Sequence, residues 1–178
     1  FDDGCFEYIP ISEDDKNSME GRSYRNTLGR KGKPLSTYIP SRICNYKMHF
    51  DPEFDTFTYG DPTLKRNWLL KLEKGDMLVF YAGLTPYKNN VYKTALYIIG
   101  YFLIDKIIDF NSLTKKEIEE CFQLYSNNAH VKRKENTKDL IIAVGSKQYS
   151  KLLDKAILIS KIKLDKIGRP YHAVSDEI

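Results

Sequence analysis

Two apolar, aromatic runs restrict this fold most: Met77 to Tyr81, fed by Lys74-Gly75-Asp76, and Ala95 to Ile104 beyond a polar connection. The first has the length of a strand and is too short for a helix that must bury one face. Gly75-Asp76 is a turn pair that launches it. The second run is interrupted by Gly100. An isolated glycine in a strand pattern suggests a bulge or a close approach by backbone or ligand, and bulges are how a small sheet curls. A bent sheet is therefore expected at the centre of the fold.

The remaining elements are read from periodicity and punctuation. Cys5 to Ile11 reads as a short strand closed by Pro10, and residues 12–34 as a long basic loop without apolar period. Loops of that length in a compact domain tend to be functional or disordered. Leu35 to Ile39 reads as a weak strand between two prolines, and Thr63 to Leu72 as a helix with Leu64, Trp68, Leu69 and Leu72 on one face. Asp61 would cap that helix, with Pro62 at its first position. Ser112 to Asn128 carries Leu113, Ile118, Cys121, Phe122 and Tyr125 at helical spacing, and Thr114 with Glu117 makes a capping box. Asp139 to Val144 reads as a strand, Ser146 to Lys155 as a short helix and Ala156 to Ile162 as a last strand. Strands separated by single helices in irregular order predict an α+β fold, a small curled β-barrel or strongly bent mixed sheet with flanking helices. A doubly wound fold would need a Gly-rich phosphate turn that the sequence lacks.

With 178 residues, 42% hydrophobic and 29% charged, the chain suits one well-buried core, so a single domain over 1–178 is expected. Asp105, Lys106 and Asp109 break up the longest apolar candidate, so no membrane span is expected. Three cysteines, Cys5, Cys44 and Cys121, lie far apart without zinc or disulfide spacing, which points to a reducing, cytoplasmic setting. A start at Phe1 with neither Met nor leader is what a fragment or processed chain would show. The net charge of +4 is mild, so distribution matters more. Arg22, Arg25, Arg30, Lys31 and Lys33 cluster with glycines, and Lys132, Arg133 and Lys134 form a second group. Basic Gly-rich loops can lie along phosphates; ordinary solvated loops carry the same residues, and the acidic run Glu13, Asp14, Asp15 lies close to the first cluster.

The chemistry concentrates in His49, Asp51, Glu53 and Asp55, which alternate and would share one face of an extended segment until Pro52 breaks it. A histidine with carboxylates on one face suits a divalent cation or acid–base work; it also suits hydrogen-bonding a turn. His130 is the second histidine candidate, with carbonyl capping as its structural alternative. Thr58-Tyr59-Gly60-Asp61 supplies an aromatic ring, a glycine that permits close approach and an acid able to accept from an exocyclic amine. Among Tyr59, Trp68, Phe80, Tyr81, Tyr97 and Tyr101, most rings belong to the core. Alternation puts Phe80 and Tyr81 on opposite faces, with Tyr81 the better pocket residue, and Trp68 reads as packing on a Leu-rich helix face. No nucleophile elbow, Cys/His signature or phosphate-cradling loop occurs, and no metal or cofactor is assigned.

Gly75-Asp76-x-Leu78-Val79-Phe80-Tyr81 followed by Ile99-Gly100-Tyr101-Phe102 resembles the core of the PUA-like superfamily, which includes EVE, ASCH and YTH domains. Phe6-Glu7-Tyr8-Ile9-Pro10-Ile11, His49-Phe50-Asp51-Pro52-Glu53-Phe54, Thr58-Tyr59-Gly60-Asp61, Asn128-Ala129-His130-Val131 and Ser150-x-Leu152-Leu153-x-x-Ala156 extend the likeness over most of the chain. Together they resemble the nucleotide-modification-associated domain families, linked with systems that hypermodify bases or recognise modified ones in DNA. The resemblance implies a binding module for a modified, flipped base in DNA. Tyr59, Asp61, Tyr81, Tyr101, His49 and Asp51 would contact the base, and Arg22, Arg25, Arg30, Lys31, Lys132 and Arg133 the backbone. The alternatives are an enzyme acting on a nucleotide or base through His49, Asp51 and His130, and a partner-interaction domain. The implied partner is modified DNA or a nucleotide, in association with a larger modification or restriction system and with no membrane.

Overall fold

Gly75 takes φ +97°, a conformation open to glycine and costly for other residues. Its N–H donates to the Ile104 carbonyl at 2.8 Å, and Ile104 N–H donates to the Asp76 carbonyl at 2.8 Å. The turn thus launches β4 (Met77–Leu84) beside β5 (Ala95–Asp109), as the two apolar runs require. These contacts come from a computed structural model that describes residues 1, 3–88, 93–133 and 137–176. Lys134 of the second basic cluster lies outside them.

The architecture is mixed α+β, mostly strands, with a strongly curled half-barrel sheet and a few helices. After β1 (Ile11–Ser12), β2 (Met48–His49) and β3 (Thr58–Asp61) come the short α1 (Arg66–Leu69), β4 and β5. α2 (Lys115–Leu124), α3 (Ala129–Arg133), β6 (Ile141–Gly145), β7 (Lys151–Leu158), β8 (Ser160–Leu164) and β9 (Pro170–Val174) complete the order. The main sheet runs β3-β6-β5-β4, with β7 also pairing β5. β6 lies antiparallel to both β3 and β5, and the β5–β6 register shifts between Ile104 and Lys106. A shift of this kind bends a sheet, so the bulge foreseen near Gly100 is recorded further along the same strand.

The chain packs as two compact units. One comprises Ile9–Leu78 and Phe102–Lys151, the other Phe1–Tyr8, Val79–Tyr101 and Leu152–Ile178. In the first, Ile108, Phe110, Tyr125, Val131, Leu140 and Ile142 form a buried cluster against which Ile118 and Phe122 of α2 pack. A second cluster gathers Tyr24, Leu35 and Met48, so residues 12–34, although irregular, contribute a buried anchor in Tyr24. In the other unit, β8 and β9 form an antiparallel hairpin. Ile159 N–H donates to the Leu96 carbonyl at 3.0 Å and Leu96 N–H to Ser160 Oγ at 2.9 Å.

Several local expectations are corrected. Residues 63–72 form only the short α1, with Leu64 85% and Trp68 71% exposed; one turn cannot bury a stripe, and Leu69 alone of that face is buried. Trp68 instead lies beneath the Lys71 ammonium, 4.3 Å from the ring centroid. Leu35–Tyr38 is a 3-10 turn rather than a strand. The strand expected over Cys5 to Ile11 reduces to an isolated bridge, Cys5 with Lys155, and to β1. The helix expected over Ser146 to Lys155 is a turn followed by β7, because pairing with β5 overrides weak local preference.

Candidate functional site

Register on the two-stranded β1–β2 ribbon starts the site. Ile11 pairs with His49 and Ser12 with Met48, which sets Glu13, just past β1, diagonally across from His49. Diagonal neighbours are within reach of long side chains, and Glu13 Oε2 lies 3.0 Å from His49 Nδ1. Arg133, at the end of α3, donates to Glu13 Oε1 at 2.6 Å. Burial opposes ionisation of Glu13, yet hydrogen bonds from Arg133, His49 and the Asp15 N–H prevail and hold its carboxyl down to about 2. An ionised carboxylate only accepts. Arg133 Nη2 stands at the same nitrogen, 3.3 Å from Nδ1; in the tautomer that donates Nδ1–H to the nearer, ionised Glu13 carboxylate, Nε2 is the nitrogen left to exchange a proton or bind a ligand.

Asp51 lies two residues past His49. Its Oδ1 accepts the Gly60 N–H at 3.0 Å, and its Oδ2 stands 3.5 Å from His130 Nε2. His130 is carried by α3, whose first turn is fixed by Asn128: Asn128 Oδ1 accepts from His130 N at 3.0 Å and Val131 N at 3.3 Å. Asn128 Nδ2 donates to Thr58 Oγ1 at 3.2 Å, tying α3 to β3. Close approach is possible because residue 60 is glycine; a Cβ there would meet His130 Cδ2 at 2.8 Å and Asn128 Oδ1 at 3.0 Å. The two imidazoles meet edge to face, with centroids 4.9 Å apart. A ligand atom from each of His49, Asp51 and His130 lies within 4.8 Å of the others. The Asp51 and His130 side chains retain 10% and 13% exposure, so the cluster is nearly buried.

Tyr59 and Asp61 belong to the same unit. The Tyr59 hydroxyl donates to Asp61 Oδ2 at 3.2 Å; burial, then the charges of Asp51 and Asp61, push it well above the ordinary phenol value. Asp61 also accepts from the Thr63 N–H at 2.7 Å, so it fastens the turn after β3 rather than capping a long helix. Tyr81 and Tyr101 fall in the other unit. Of the alternating acids, only Asp51 joins His49. Glu53 is buried and accepts from the N–H groups of Asp55 and Thr56 and from the Thr56 hydroxyl, which is the turn-bonding alternative. Asp55 pairs with Arg22 at 3.4 Å.

The basic residues divide as well. Lys132 Nζ lies 2.6 Å from Glu20 Oε2, and Arg22 Nη2 lies 3.0 Å from the same oxygen. Burial again opposes ionisation of Glu20, but hydrogen bonds from Arg22 and Lys132 hold it down to about 2. Arg22, Lys132 and Arg133 are thus occupied by internal acids. Arg25 is exposed and donates to Asn45 Oδ1 at 2.7 Å, and Arg30 and Lys31 are exposed in the same loop.

Sequence reasoning missed Glu13 and Asn128 as parts of the site. Glu13 acts across a strand pairing and Asn128 caps a short helix; a capping Asn directly before a His-bearing segment was the one local signal for either.

No curated protein and no solved structure matches the chain. Residues 1–170 match the family described as nucleotide modification associated domain 3, and the chain belongs to that family.

Proposed function

We propose that this domain is an enzyme of nucleotide or DNA-base modification whose acid–base centre is formed by His49, Asp51 and His130. The supporting observation is the convergence of these three residues, from β2, the following turn and α3, within 4.8 Å. Membership of a family associated with nucleotide modification fits a modification-related role. In this reading Glu13 holds the Nδ1 proton of His49 so that Nε2 transfers a proton to or from the substrate. Asp51, fixed by Gly60 N–H, faces His130 Nε2 at 3.5 Å and supplies the negative charge of the centre. Tyr59 and Asp61 contact the base, and Arg25, Arg30 and Lys31 contact phosphate.

Recognition without chemistry is the second reading, favoured by Tyr81, 57% exposed on β4 and suited to stacking on an extruded base. Mass-spectrometric product analysis separates the two. Duplexes with unmodified, methylated, hydroxymethylated or glucosylated bases, and the matching free nucleotides, are incubated with the protein and with His130→Ala. Altered bases with the native protein and none with the variant support the enzyme. Modification-dependent binding with unaltered products, weakened by Tyr81→Ala, supports the reader and overturns the first reading.

A further inference from the structure

We propose that His49, Asp51 and His130 constitute a two-histidine, one-carboxylate site for a divalent first-row transition metal. The inference deepens the enzymatic reading above and rests on the same residues.

The spacing argues for an ion. His130 Nε2 and Asp51 Oδ2 are 3.5 Å apart, too far for a good hydrogen bond, whose donor and acceptor stand roughly 2.7–3.2 Å apart. Two ligands each ~2.1 Å from a tetrahedral metal are separated by ~3.4 Å. His49 completes a set whose ligand atoms all lie within 4.8 Å, so a small inward movement of one imidazole closes it.

Each ligand is already aimed by a neighbour. His49 is held through Nδ1 by the Glu13 carboxylate at 3.0 Å, the carboxylate–histidine–metal arrangement that fixes ring orientation. Asp51 is held through Oδ1 by the Gly60 N–H at 3.0 Å, which leaves Oδ2 for the ion. His130 is set by the Asn128 cap and by the absence of a side chain at Gly60.

The donor set selects the ion class. Imidazole and carboxylate without thiolate suit zinc, iron or manganese rather than copper(I) or an iron–sulfur cluster, and they disfavour magnesium, which prefers oxygen. Three protein ligands leave positions for water or substrate, as catalytic rather than structural centres do. A bound metal would supply an activated water or a polarised substrate oxygen.

The test is calorimetric titration of chelator-stripped, full-length protein with Zn²⁺, Mn²⁺ and Mg²⁺, with the Co²⁺ visible spectrum as a second readout. We expect one Zn²⁺ or Mn²⁺ per chain. Affinity should fall at least tenfold in His130→Ala and Asp51→Asn and roughly 10–100-fold in Glu13→Gln, and should stay unchanged in His172→Ala, which removes the histidine of β9. Circular dichroism establishes that each variant is folded; if Glu13→Gln unfolds, Asp51→Asn and the Co²⁺ ligand-field bands carry the test. The inference is overturned by the absence of saturable binding, or by binding that His172→Ala abolishes and His130→Ala leaves intact. Turnover that persists in chelator also overturns it, while leaving the acid–base reading standing. Stoichiometric metal with no altered nucleotide or base keeps the metal site and removes the enzymatic reading.

Discussion

Gly60 shows how much one missing side chain decides. The sequence marks it as a place of close approach, and the approaching groups are His130 and Asn128. A methyl at Gly60 would have to displace the His130 ring and the Asn128 amide, whereas a Cβ added at Gly21 would have nothing within 4 Å. Gly60→Ala is expected to lose about 1–3 kcal/mol in urea denaturation together with site function, while Gly21→Ala stays within about 0.5 kcal/mol of the parent. Equal effects would refute the packing account. The acids at 51, 53 and 55 teach the complementary lesson. Alternation places them in one row, but the chain turns at Pro52, so Glu53 serves the turn and Asp55 the surface. Residue type was legible there; destination was not.

At the scale of elements, the capping of α2 was legible and the strand pairings were not. The Thr114–Glu117 capping box forms in both directions, because its partners lie within one turn. Thr114→Ala should cost about 1 kcal/mol and leave site function intact, since α2 packs on the Ile108–Leu140 cluster. Asn128→Ala should cost about 2–3 kcal/mol, because it strands the His130 and Val131 N–H groups and the Thr58 hydroxyl. It should also reduce site function by displacing His130. Chemical denaturation with a parallel activity assay compares the two; a site indifferent to Asn128→Ala would contradict the role given to α3. The curled sheet was visible in the Gly75-Asp76 turn and the two apolar runs. β7 was not, because its strand character comes from pairing with β5 rather than from its own pattern.

At the scale of the molecule, the acids of the irregular segment 12–34 bind it to α3 through Glu13–Arg133 and Glu20–Lys132. Both carboxyls are held down to about 2 from an ordinary 4.5, so their contribution is complete above about pH 4.5 and is lost as pH falls towards 2. Each should be worth on the order of 3 kcal/mol. Urea midpoints should hold steady from neutrality to about pH 5 and then fall, more shallowly in Glu20→Gln; an unchanged slope in that variant would contradict the linkage. Arg25 and Arg30 are exposed, and under the proposed phosphate contact removing both should flatten the salt dependence measured in a DNA-binding assay by about 1–2 units of log K per log salt. If Tyr81→Ala flattened it equally, the division between ring and cation would fail. The sequence contained every member of the ion-pair network, but separations of a hundred residues and more left no local trace of who would pair with whom.

The most direct test of the central claim is mass-spectrometric analysis of modified duplexes and nucleotides after incubation with the native protein, His130→Ala and Thr114→Ala. The account predicts a chemically altered base or nucleotide with the native protein and Thr114→Ala, and none with His130→Ala. Unaltered substrates throughout, or equal product from His130→Ala, would contradict it.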